Sequence, residues 1–169
     1  MKMKKILSFV VAGVLGLSLL TACGKNDAGQ TSGNQNSVNA EANTIGTKLY
    51  VSFQSSIADN DDIEAVANKL TENEVFTDLM MGVMPVEEGY LNGFDGEISG
   101  FDKGVMFAPM IGTIPFVGYI FESSDADGLA KLLDEKAMLN WNICTVADEK
   151  VVETSGNYVF FVMAPNSFE

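Results

Sequence analysis

Carboxylates and two cysteines are the main chemically active groups of this chain. Between Asn92 and Gly104 the sequence reads NGFDGEISGFDKG, and the tripeptide Gly-Phe-Asp occurs at 93–95 and again at 100–102. Glycine permits tight turns, and an aspartate beside it either bonds the local backbone or points outward as a ligand. Asp95, Glu97 and Asp102 are therefore candidate ligands for a calcium or magnesium ion, calcium foremost, because hard cations take several carboxylate oxygens from a bent chain. Two ordinary turns would use the same residues. Paired acids, Glu87 with Glu88 or Asp95 with Asp102, would suit a hydrolase working by general acid and base. Adjacent acids such as Asp134-Glu135 and Asp148-Glu149 are more often solvated surface. The run Asp59-Asn60-Asp61-Asp62 lacks the alternating ligands, glycine and terminal glutamate of an EF-hand loop and reads as helix capping.

The missing residue types exclude more than the present ones assert. The 169 residues contain no histidine, and all ten basic residues are lysines. No imidazole base, Ser-His-Asp relay or histidine-held zinc can be built. No guanidinium fork is present for bidentate capture of phosphate. Twenty-three acids give a formal net charge of -13, which repels nucleic acid, and a nucleic-acid partner is excluded.

Lys2, Lys4 and Lys5 precede a mostly apolar run from Ile6 to Leu20, too short to span a bilayer comfortably but suited to the core of a secretory signal. Leu20-Thr21-Ala22-Cys23-Gly24 follows, and it resembles the lipobox of bacterial lipoprotein signal peptides. The resemblance implies that residues 1–22 are removed and that Cys23 becomes a diacylated N-terminus. Two acyl chains hold a protein stably on a bilayer where one does so only marginally. The expected location is the extracytoplasmic face of the cell membrane, with the membrane itself a partner through the anchor. Removing residues 1–22 deletes three lysines and no acid, leaving seven lysines against 23 acids, or -16. Cys144 is then the remaining thiol, flanked by Ile143 and Thr145, and is expected to be a buried small hydrophobe.

Residues 23–43 form the anchor and a tether. Gly24 to Asn43 is built of Gly, Asn, Ser, Gln and other small or polar side chains, which cannot bury enough apolar area to offset ordering entropy. A disordered linker with a span of about 22–27 Å is expected. Residues 44–169 suit one domain with one core.

Within that domain, alternation in Lys48–Gln54 predicts a strand with Leu49, Val51 and Phe53 on one face. Asp61 and Glu64 resemble a capping box, opening a helix with Ile63, Val66, Ala67 and Leu70 on its apolar side. Glu74–Val86 reads as a short helix or turn ended by Pro85. Met80, Met81 and Met84 are read as core filling, although exposed they would form a soft binding surface, as would Tyr90 with Phe94. Val105–Ile111 and Phe116–Phe121 are apolar on both parities and predict strands covered on both faces, with Pro109 marking an edge or bulge. Ser124 and Asp127 cap a further helix reaching about Asn142, with Leu129, Leu133, Ala137 and Trp141 inward. Lys150–Thr154, the Ser155-Gly156-Asn157 turn and Tyr158–Met163 predict a hairpin. The expected fold is α+β, a mainly antiparallel sheet with two or more helices packed on it.

The run from about Asp125 to Met163, a helix followed by Val151-Val152-Glu153 and Gly156-Asn157-Tyr158-Val159-Phe160, looks like the C-terminal half of a family of small, functionally uncharacterised lipoproteins of Gram-positive anaerobes. That resemblance implies an extracytoplasmic lipoprotein and carries no reaction with it. Of the functional classes, a noncatalytic binding module with an envelope protein partner is favoured, because no catalytic constellation stands out. A carboxylate-based hydrolase acting on cell-wall or other glycan is the alternative. A small-ligand-binding lipoprotein ranks lower, because two-lobed receptors need a longer chain.

Overall fold

The computed structural model describes residues 44–168. The expected signal peptide at residues 1–22, Cys23 and the expected linker lie outside the described residues. Runs that are apolar on both parities become the centre of a five-stranded antiparallel sheet. Its strands are β1 (Met81–Val86), β4 (Lys103–Pro109), β5 (Val117–Glu122), β6 (Glu149–Ser155) and β7 (Tyr158–Ala164), in the order β1-β4-β5-β7-β6. A two-stranded ribbon pairs β2 (Gly89–Tyr90) with β3 (Glu97–Ile98). β5 and β7 pair in register from Val117↔Met163 to Glu122↔Tyr158, and their central residues are buried. Successive strand residues point to opposite faces. Ile120, Phe160 and Val162 therefore enter one core, and Tyr119, Phe161 and Met163 the other.

Helices α1 (Ile45–Asp59) and α2 (Ile63–Thr71) close the first core, and α3 (Ala126–Lys136) closes the second. The fold is α+β, as the sequence predicts, with helices on both faces of an antiparallel sheet. The β6–β7 hairpin and the β4–β5 pair also form as expected, the former turning at Gly156 with φ 61°.

Several local expectations are corrected. Residues 48–54 are helical, because Ile45, Leu49 and Phe53 recur every fourth residue and are buried, while Val51 is exposed. Thr44 and Thr47 cap α1 reciprocally, a signal that a seven-residue alternation hides. The α2 cap is Asp62 rather than Asp61, and its carboxylate accepts from Glu64 N, but the predicted inward face of Ile63, Val66, Ala67 and Leu70 holds.

Second, Glu74–Val86 is only a 3₁₀ turn at Glu74–Phe76 before becoming β1. Pro85 does not end the element but sits inside it. Met110 N donates to Met80 O, so even-numbered residues of β1 bond toward β4 and odd-numbered ones face outward. The missing N–H of Pro85 falls on the outer side of an edge strand, where no ladder bond is lost. Third, Pro109 marks neither an edge nor a bulge. β4 is flanked by β1 and β5, and Pro109 is accommodated because pairing with β5 stops at Phe107. Fourth, α3 is capped by Asp125, which accepts from Gly128 N, and ends at Lys136, six residues short of Asn142. Ala137 leaves the helix to bridge Phe94, which draws the following segment onto the ribbon loop.

Candidate functional site

The Gly-Phe-Asp pair is where sequence chemistry pointed first, and the phenylalanines carry its role. Gly93, Gly96 and Gly100 adopt positive φ of 94°, 108° and 93°, turning the chain as expected. Phe94 packs on Phe161 with ring centroids 4.7 Å apart, and Phe101 packs on Phe121 at the same separation. Both rings therefore pack on the second core, Phe94 beside Tyr119, whose hydroxyl donates to Asn92 O at 2.9 Å. Backbone bonds from Asp95 N to Lys136 O and from Met138 N to Gly93 O sew the loop to the end of α3. Asp95, Glu97 and Asp102 all remain exposed, and among the described residues no three acidic or cysteine side chains gather as a metal-holding group.

The other flagged residues scatter. Glu87 and Glu88 are exposed, and Glu88 accepts from Gly100 N as a turn ligand. Cys144 is exposed rather than buried, and neighbouring Ile143 is 99% exposed. Phe94 is in the core, so it forms no surface patch with Tyr90, which is exposed. Burial pushes the Tyr119 hydroxyl well above the ordinary tyrosine range, with its bond to Asn92 O only partly opposing this. Tyr50 shifts in the same direction, first through burial and then through the charge of Glu153.

The feature that sequence reasoning assembled least is an open apolar groove of about 360 Å³ at the β1–β4 end of the sheet. α3 and the ribbon loop cover the second face over β5, β6 and β7, while Met84 and Met106 farther along the sheet line the groove. Met84 lies opposite Met106, and Gly82 opposite Ala108, so these four residues share one face and form the floor. The β4–β5 connection supplies Met110 and Ile111 as one wall, and Trp141 with Asn142 forms the other. The walls are tied together by Asn142 Nδ2 donating to Gly112 O at 2.9 Å and Thr145 Oγ1 donating to Thr113 O at 2.9 Å. Met80 is 70% exposed, Met84 49%, Met110 69% and Ile111 61%. The core-filling expectation therefore fails for Met80 and Met84, while Met81 packs against the first core.

Comparison with known proteins leaves the site to speak for itself. No family model, curated protein or solved structure matches the chain. Chemically, a groove lined mainly by thioethers, aliphatic groups, one phenyl ring and one indole, with the amides of Asn92 and Asn142 but no charged residue, can bind an apolar ligand. It holds no nucleophile or acid–base pair.

Proposed function

We propose that the chain is an extracytoplasmic lipoprotein, anchored through Cys23, whose domain is a noncatalytic binding module for an envelope protein partner. The observation that supports this reading is the exposed apolar side chains of Met84, Met110 and Ile111 lining the groove, with exposed Met80 paired through its carbonyl to Met110 N. Large exposed apolar patches on soluble domains mark interaction sites, because they cost solvation free energy when left bare. Methionine suits such a surface, since its unbranched, polarizable side chain re-packs around different ligands. The lipobox-like run at Leu20–Gly24 would keep the domain beside the membrane, and the polar tether would let it reach a neighbour.

The test replaces Met84 and Met110 with lysine in the full chain and cross-links in living cells. Membrane retention and thermal stability should stay close to those of the parent, while partner adducts disappear. Adducts that persist unchanged would overturn the groove as the binding surface. Cys23→Ala should release the protein from the membrane fraction, and unchanged retention would overturn the anchor.

A further inference from the structure

Resting on that reading, we infer that the groove's occupant is an extended, lysine- or arginine-bearing peptide segment that adds a strand to the outer edge of β1. Three observations converge on this occupant. First, among the described residues no strand pairs with the outer side of β1. The register places the N–H and C=O of Met81 and Val83 outward, together with the carbonyl of Pro85. An edge of this kind accepts an extended peptide by main-chain hydrogen bonds, with alternate side chains conferring specificity.

Second, the groove adjoins the same edge. Gly82 and Met84 face it, and in an antiparallel addition they occupy the non-hydrogen-bonded positions, where opposing side chains approach most closely. The missing side chain of Gly82 leaves a notch, so an apolar residue of the added strand fits beside Met84. Register is fixed because a one-residue slip would turn the peptide's apolar side chains away from the groove.

Third, charge selects the partner. The run Leu70–Asp102, which contains β1, carries eight acids and no basic residue. Exposed Asp78 precedes the strand, and exposed Glu87 and Glu88 follow it. A six-residue strand spans about 20 Å, so cationic side chains at the two ends of a peptide would meet these acids. A second copy of this chain would bring the same acidic edge, and an anionic lipid surface is repelled likewise.

The experiment uses the full chain with isotope-labelled methionine methyl groups and a nine-residue peptide alternating valine or isoleucine with lysine. Methyl signals of Met84, Met106 and Met110 should shift on titration, and that of fully buried Met163 should not. Amide exchange at Met81 and Val83 should slow. Replacing the lysines with glutamate should weaken binding at least tenfold. N-methylation of one alternating set of peptide amides should abolish it, while methylation of the other set should not. Equal binding of the glutamate peptide would overturn the cationic partner, and equal binding of both N-methylated forms would overturn strand addition. In either case the groove itself would still be occupied. The proposal also falls if no methyl shifts, if Met81 and Val83 are already protected in the free chain, or if sedimentation shows dimers closed through β1. The lysine substitutions at Met84 and Met110 test the underlying binding reading separately, through loss of cellular adducts.

Discussion

Met84 on the edge strand lies directly opposite Met106 on β4, and both side chains line one groove. The pair marks where the second face of the sheet changes from core to surface. Toward β7, Phe161 and Met163 on this face are fully buried beneath α3 and the ribbon loop. At β1 the cover ends, and Met84 is half exposed. A fold that covers most of one face but leaves an apolar end open has a surface suited to a partner.

Gly118→Ala should destabilise the domain by about 1–3 kcal/mol, the usual cost of overpacking. Gly118 lies opposite Phe107 in the β4–β5 ladder, and an added methyl group would overlap the Phe107 ring. Urea unfolding of the variant checks this, with a lower midpoint and an unchanged slope expected.

Glu149→Ala should cost about 1–2 kcal/mol, because Glu149 Oε1 accepts from Gly46 N at 2.8 Å and ties the start of α1 to β6. Hydrogen exchange should accelerate first in the opening turn of α1. Equal acceleration throughout the domain would assign the loss to something other than this tie.

Stability should fall in strong alkali, and Tyr119→Phe should flatten that dependence. Burial raises the folded-state pKa of Tyr119 above its ordinary value of about 10, so the neutral form is favoured on folding. The stabilisation is fully present below the unfolded pKa and is lost as pH rises from there toward the folded value. The variant also loses the hydrogen bond to Asn92 O, about 1 kcal/mol at neutral pH. Melting curves between pH 7 and 11 separate the constant offset from the changing slope.

Calcium titrated into the full chain should give no saturable heat. Asp95, Glu97 and Asp102 are exposed, and the turns that carry them are accounted for by Phe94 and Phe101 packing. A saturable isotherm abolished by Asp95→Asn with Asp102→Asn would restore the metal reading.

The sheet centre was legible because buried strands leave an unbroken apolar signature, as Val117–Phe121 and Tyr158–Met163 do. The α1 segment misled because Leu49, Val51 and Phe53 alternate over a short window, and only the spacing of Ile45 from Leu49 and Phe53 reveals the helix. The Met81–Val86 strand was hidden by Pro85, whose tolerance depends on an edge position that only the strand order supplies. The burial expected of Cys144 from its apolar neighbour misled because Ile143 is itself exposed. The groove itself was legible only in fragments. Met84 stood out by type, but Met106, Met110 and Trp141 join it only through pairing and loop ties between segments far apart in sequence.

Photo-cross-linking from position 110 of the full chain in living cells tests the binding role most directly, with position 131 on the exposed side of α3 as the reference. The account predicts a discrete protein adduct from position 110, none from position 131, and loss of the adduct when Cys23→Ala displaces the protein. No adduct from position 110, or equal adducts from both positions, would contradict it.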